Sequence, residues 1–237
     1  MAKKAVTIAE RREPLNRERV LSTALRLADE GGIEALTMRR LAQELGVEAM
    51  SLYHYVADKD EILAGILDLV MGEIELPPDE GDWKEGVRKT ASSYHAALAR
   101  HRWAHSVMTS PSPIPPRSAQ FRYMEALLGR LRKAGFSPRM THHAYHALDS
   151  HIIGTALWEA GIAAAIGQGR FQQVAQSVLQ RLPPEEYPYF HEHAQQHLTR
   201  ATRGDKSPFE FGLDLILDGL DRLRDGTGAQ RRRSLRP

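Results

Sequence analysis

The chain has 237 residues, with 32 Lys and Arg against 30 Asp and Glu, so its formal charge of +2 does not announce nucleic acid by bulk basicity. It contains no cysteine, which excludes disulfides and thiolate metal sites and fits a reducing cytoplasm. The longest apolar stretch, Ile152 to Ile166, is shorter than the ~20 residues a membrane span needs, and Glu159 interrupts it; a buried helix and no membrane partner are expected.

The charge is unevenly placed. Residues 1–20 carry six Lys/Arg against three Glu, and Arg231 to Pro237 carry four Arg and no acid. Such ends either lie against phosphate or are solvated tails. Lys3, Lys4, Arg11 and Arg12 enclose no apolar segment, so no secretory leader is expected.

In chain order, residues 1–13 read as a flexible basic arm ending near Pro14. A first helix is expected over about Asn16 to Glu30, where Val20, Ala24 and Leu27 recur at helical spacing and Gly31-Gly32 stops the run. Thr37 can cap a short second helix through Leu45, Gly46 makes a turn, and a third helix covers about Glu48 to Tyr55. Asp58, with Glu61 three residues on, resembles a capping box for a fourth helix that ends before Pro77-Pro78. Further helices are expected at about Trp83–Arg100, Trp103–Met108, Arg117–Ala134, Arg139–Ile166, Phe171–Arg181, Tyr189–Thr199 and Pro208–Arg224, separated by Pro- or Gly-rich breaks. No strand of useful length alternates with period two. The fold class expected is all-α: a three-helix helix-turn-helix domain (14–60), a larger helical ligand-binding and dimerisation domain (61–224), and a basic flexible tail (225–237).

The informative segment is Leu36 to Tyr53. Two short helices meet at Gly46. Leu41 and Leu45 share one face of the first, Ala42 permits close approach, and Val47 and Leu52 can anchor the second to the same core. A short recognition helix needs this packing to hold its angle. Ala49, Met50, Ser51, His54 and Tyr55 are left to project outward, and an apolar Met50 there suggests a surface with a partner.

The run from Leu27 through Leu63 resembles the DNA-binding domain of the TetR (tetracycline repressor) family: Gly32 to Val47, then Leu52-Tyr53-His54-Tyr55-Val56, then Lys59 opening the next helix. Phe209 to Leu220 resembles the last helix of the tetracycline-repressor branch. The resemblance implies that Arg39 reaches a base edge or a phosphate, that Ala49, Met50 and Ser51 face the major groove, and that Tyr53, His54 and Tyr55 contact backbone or thymine methyls. It also implies that Thr37 and Lys59 clamp phosphates. The plainer alternatives are that Tyr53 and Tyr55 are partly core aromatics and that Arg39 and Lys59 are exposed, unpaired charges. That branch coordinates a magnesium–drug complex through histidines whose places fall near Glu75 and Met108 here; neither is histidine, so tetracycline recognition does not carry over.

In the second domain, Phe209, Leu213, Ile216, Leu217 and Leu220 form one stripe of the last helix, with Phe211 and Leu215 off it. A helix with two apolar faces must bury both. The resemblance implies a homodimer through helices near 139–166 and 208–224, reading two-fold operator DNA; a monomer with a buried central helix is the alternative. Aromatic and Met residues gather in the middle of the chain, and a cavity between these helices for a small, largely apolar effector is expected, walled by Trp103, Met108, Phe121 and Trp158 with His105, His151 and Thr155 as polar contacts. For any one of these residues, plain core is the alternative. The function expected is that of a ligand-responsive repressor, cytoplasmic, with no catalytic residue, metal or cofactor. The rival is a helical metal-binding protein or metalloenzyme using His142/His146 and His193/His197 with His191. No HExxH motif or phosphate-cradling glycine loop supports it.

Overall fold

The computed structural model of the protein describes residues 14–108, 117–166, 170–198 and 206–234. These residues are helical with no strand among them, and the chain divides into two compact units, Met1–Ile66 and Leu67–Pro237. The expected arm 1–13 lies outside the described residues.

In the first unit, the side chains of Asn16, Thr37 and Asp58 fix helix starts. Asn16 Oδ1 accepts the Arg19 N–H at 2.8 Å and starts α1, Arg17–Gly31. After a 3-10 turn at Ile33–Ala35, Thr37 Oγ1 accepts the Arg40 N–H at 3.2 Å and starts α2, Met38–Leu45. Gly46, left-handed at φ 70, ends α2, a conformation that a Cβ would penalise. α3 spans only Ala49–Leu52, shorter than expected. The chain leaves the helix at Tyr53 into a turn closed by the Tyr55 N–H on the Leu52 carbonyl at 2.9 Å, because three consecutive aromatic side chains favour helix weakly. Asp58 Oδ1 accepts the Glu61 N–H at 2.8 Å, and Glu61 Oε2 reaches back to the Ala57 N–H at 2.7 Å, so the capping box closes on the residue before the one expected. α4 runs Lys59–Gly72 from there. Val20, Ala24, Leu27, Leu36, Leu41, Leu45, Leu52, Val56, Ile62 and Ile66 are buried together as one core. Thr37→Ala is expected to cost about 1 kcal/mol, and Thr37→Ser to restore most of it; thermal melts check both.

The second unit packs α5 (Trp83–Arg100), α7 (Ala119–Lys133), α8 (Pro138–Ile166) and α11 (Pro208–Ser234) around one core, with short helices α6 (Ala104–Met108), α9 (Phe171–Leu179) and α10 (Pro188–His193) and a π-helical turn at Ala194–Leu198. α8 is the centre. Its buried residues Ala144, Leu148, Ile152 and Ala156 recur every four residues, one ridge along the helix. α5 turns Val87, Ala91, Tyr94 and Leu98 inward, α7 turns in Tyr123, Leu127 and Leu131, and α11 turns in Phe209, Leu213, Leu217 and Leu220. α11 continues past Arg224 to Ser234, into the stretch expected as a tail. Ion pairs fasten α11 to α5: Arg88 to Asp214 at 2.6 Å, and Lys84 to Asp218 at 3.1 Å and Asp221 at 2.7 Å. Arg88 and Lys206 hold the Asp214 carboxyl down to about 2.

Candidate nucleic-acid and effector sites

The helix-turn-helix of α2 and α3 buries Leu41, Ala42, Leu45 and Leu52 and presents the other faces to solvent. Arg39 on α2, His54, and Lys59 at the start of α4 are exposed, while Ala49, Ser51 and Tyr55 are half-buried. Met50 is 72 % exposed and Tyr53 47 %, so Tyr53 is no core aromatic. An unbranched apolar side chain held out in water on a recognition helix favours contact with an apolar group such as a thymine methyl. Arg17 and Arg26 of the same unit are engaged, the first with Glu61 at 3.1 Å and the second with Glu30 at 2.9 Å and with Glu44. Among the described residues Arg39 and Lys59 have no such carboxylate. Lys59 also sits at the positive end of α4, where a cation is locally unfavourable, although Asp60 and Glu61 offset it. A bound phosphate would remove that conflict. Thr37 is exposed and its oxygen accepts the cap bond, which leaves its O–H to donate.

The second unit distributes its expected ligand residues over three places. Trp103 is buried with its ring centroid 6.3 Å from that of His101 in an edge-to-face contact, and His105 and Met108 are half-buried on α6. His151 lies on α8 facing α11, and Thr155 stands one turn later on α8. The His151 Nε2–H donates to the Phe209 carbonyl at 2.9 Å, its ring stacks on Phe209 at 5.4 Å, and the Thr155 O–H donates to the His151 carbonyl at 2.7 Å. A Cβ on Gly212 would stand 2.3 Å from the His151 ring, so glycine is required for this approach. The His151 ring is spent on packing against α11, and the Thr155 hydroxyl on a carbonyl one turn back in α8. Phe121 and Trp158 are exposed, at 44 % and 71 %, and do not wall an enclosed cavity of this chain. Trp158 instead joins Leu157 on α8 and Phe211, Leu215 and Leu223 on α11 as large apolar residues in water.

A polar cluster that the sequence reading did not single out as a site lies between α5, α7 and α8. The Tyr123 O–H donates to Asp149 Oδ1 at 2.5 Å, and Tyr145, one turn before Asp149 on α8, donates to the same carboxylate. Tyr94 sets its ring at 5.1 Å from that of Tyr123, near perpendicular, and points its hydroxyl at Met108 Sδ, 3.7 Å away. A thioether is a weak acceptor, and a buried hydroxyl left short of a partner costs about 1–3 kcal/mol. Burial pushes the Asp149 carboxyl above its ordinary range, against the two phenols and His146, which pull it down. Burial likewise raises the phenols of Tyr94 and Tyr123. The signal in the sequence was Tyr145 and Asp149 four apart beside the apolar ridge of α8, a carboxylate on the border of a buried face.

A carboxyl raised in the folded state costs stability as pH climbs from its unfolded value toward its folded one, and the full cost remains above both. Asp149→Asn, which can still accept from Tyr123, is therefore expected to melt higher than the unaltered chain at neutral pH. The advantage should shrink as pH falls through the folded value and disappear below the ordinary carboxylate range. Melting curves across acid pH check the sign.

The His142 and His146 rings lie 4.4 Å apart on exposed turns of α8, but no group of three or more potential ligands is placed to hold a metal among the described residues. His191 Nε2 bonds the Leu182 carbonyl at 2.8 Å. The side chain of His197 lies outside the described residues.

A helix-turn-helix unit followed by a larger all-helical unit is the layout of a DNA-binding regulator with a separate sensing domain. Comparison with known proteins agrees. Residues 20–66 match the family described as bacterial regulatory proteins, tetR family, and residues 76–224 match the tetracyclin repressor-like C-terminal domain. The HTH-type transcriptional repressor DrrR1 of Streptomyces coeruleorubidus is 33% identical over 218 residues, 88% of this chain and 78% of that protein. The class C tetracycline repressor of Escherichia coli is 29% identical over 89% of this chain and 92% of its own length. Among solved structures, ActR of Streptomyces coelicolor in complex with actinorhodin superposes with a TM-score of 0.74 at 30% identity, covering 90% of this chain and 99% of that one. The chain belongs to the TetR family of bacterial regulatory proteins. It is a ligand-responsive transcriptional repressor with an all-α fold, and no described helix is long and apolar enough to cross a membrane.

Proposed function

We propose that the protein works in the cytoplasm as a homodimer that grips a palindromic operator and releases it when a small, largely apolar molecule occupies the second unit. The observation that carries the dimer is the outer face of α8 and α11, where Leu157, Trp158, Phe211, Leu215 and Leu223 stand in solvent in the single chain. Five large apolar residues on two neighbouring helices are an unpaid hydrophobic cost unless covered. A two-fold copy covers each patch with its equivalent, and two-fold symmetry is mirrored in DNA half-sites. Arg39, Ala49, Met50, Ser51, Tyr53, His54 and Tyr55 are assigned to the operator's bases and neighbouring backbone, and Thr37 and Lys59 to phosphates.

Release follows from α4, which starts in the first unit and ends in the second. Asp68 on its second half accepts the Ala119 N–H at 2.5 Å, so the start of α7 and this part of α4 are joined. A ligand that displaces α7 would pull on α4 and alter the distance between the two recognition helices. The ligand must favour the released state, since equal affinity for both shifts nothing. By reciprocity, operator DNA weakens ligand binding by the same factor. Relatives solved with bound small molecules support an effector in the second unit: ActR was solved with actinorhodin, and a variant of TetR from Acinetobacter baumannii with minocycline.

The test is to sequence the genomic DNA that co-purifies with the protein and to titrate the enriched duplex. A palindrome bound far more tightly than random duplex at physiological salt is expected; equal binding to both would sink the repressor reading. A compound found to release that duplex should lose potency in Met108→Ala while the variant still binds DNA.

A further inference from the structure

We infer that Tyr94, Tyr123, Tyr145 and Asp149 form the polar end of the effector site, and that they select an aromatic ligand carrying both a carbonyl acceptor and a hydroxyl donor. This rests on the reading of the second unit as the effector domain and names the ligand chemistry of that domain.

The four side chains come from three helices, α5, α7 and α8, and meet where apolar residues would otherwise close the core. Two features mark the cluster as more than a structural tie. Tyr94 is 1 % exposed, yet its hydroxyl faces only the Met108 thioether at 3.7 Å. Asp149 has no Lys or Arg paired with it among the described residues; phenols alone donate to it. Both groups are in deficit, in complementary ways. The Tyr94 O–H has a proton to give and lacks a good oxygen to receive it. Asp149 already accepts from Tyr123 and Tyr145, but a carboxylate has about four acceptor positions, so it can take a further neutral donor. A ligand that supplies a carbonyl to Tyr94 and a hydroxyl to Asp149 satisfies both.

The surroundings set the rest of the ligand. Tyr94 and Tyr123 meet edge to face, and half-buried Met108 of α6 lies against the Tyr94 hydroxyl. Aromatic frames are favoured against such walls. Met108 is the group a ligand must displace to reach Tyr94, and an unbranched thioether moves at low cost. Displacing it transmits occupancy to α6. The two carbonyl-binding and hydroxyl-binding groups also sit on different helices, so a bound ligand bridges α5 to α8.

The probe is 2-hydroxyanthraquinone, compared with anthraquinone, titrated into the full-length protein with tryptophan fluorescence as the signal, at about pH 6 so that the probe's phenol stays protonated. The hydroxylated probe should bind about tenfold tighter or more than the parent, the value of a hydrogen bond to a charged group. Tyr94→Phe should weaken it about tenfold without lowering the melting temperature, because the lost hydroxyl had only a thioether as partner. Asp149→Asn should narrow the gap between the two probes. Equal affinity for both probes, no binding of either, or unchanged affinity in Tyr94→Phe overturns the assignment. Operator release separates this from the wider reading. If an apolar compound releases the enriched duplex equally well from the unaltered protein and from Tyr94→Phe and Asp149→Asn, the effector domain stands and this site is wrong. If no compound releases it, the effector reading itself fails.

Discussion

Leu215→Glu is expected to give a folded monomer with operator affinity reduced by two orders of magnitude or more, whereas Leu213→Glu is expected not to fold. The two leucines are two residues apart on α11 and point opposite ways: Leu215 is 61 % exposed and Leu213 is 1 % exposed. A carboxylate at 213 would enter the core beside α8 without a partner, which costs several kcal/mol against a total stability of about 5–15. At 215 the carboxylate meets water in the monomer and costs nothing there. It meets its own copy and an apolar surface only if the outer face is the dimer interface. Losing the dimer removes the gain from holding two half-sites at once, roughly 10²–10⁴ in affinity. Circular dichroism reports folding, light scattering reports mass, and a gel-shift titration reports affinity. A Leu215→Glu protein that stays dimeric would place the interface elsewhere.

Arg39→Ala and Lys59→Ala are expected to weaken operator binding in different ways. Both side chains are exposed and neither has a carboxylate partner among the described residues, so removal should leave the melting temperature nearly unchanged. If Arg39 forks onto a guanine, its loss costs ~1–3 kcal/mol on the operator and little on random duplex, so specificity falls. Lys59, at the start of α4, is proposed to meet phosphate. Its loss should weaken all sequences alike and flatten the dependence of log affinity on log salt by about 0.9. Equal loss on operator and random DNA for Arg39→Ala would move that residue to the backbone contacts.

Much of this was legible in the sequence because it depends on neighbours along the chain. Asn16, Thr37 and Asp58 cap helices through N–H groups three residues away, and Gly46 ends one by its own φ, so α1, α2 and α4 could be read locally. The packing faces of α2 and α11 follow from a spacing of 3.6 residues in the same way. The helix-turn-helix, and with it the family resemblance, is a contiguous pattern. The sequence also showed that α11 has two apolar faces.

Only the tertiary structure decided which of those faces belongs to the chain's own core, because burial depends on which helices pack alongside. Leu213 and Leu215 are equally apolar as letters. The same reason moved Trp158 and Phe121 out of the expected cavity wall: a large aromatic signals burial somewhere, and for Trp158 the outer face of α8 left it in solvent. His151, expected at a ligand, was consumed by the approach of α11 at Gly212, and the Thr155 hydroxyl by a carbonyl of its own helix. Tyr94, Tyr123 and Asp149 are 29 and 26 residues apart in turn, on three different helices, and nothing local connects them. Their meeting exists only once α5, α7 and α8 are packed, which is also what withdraws Asp149 from water and raises its carboxyl.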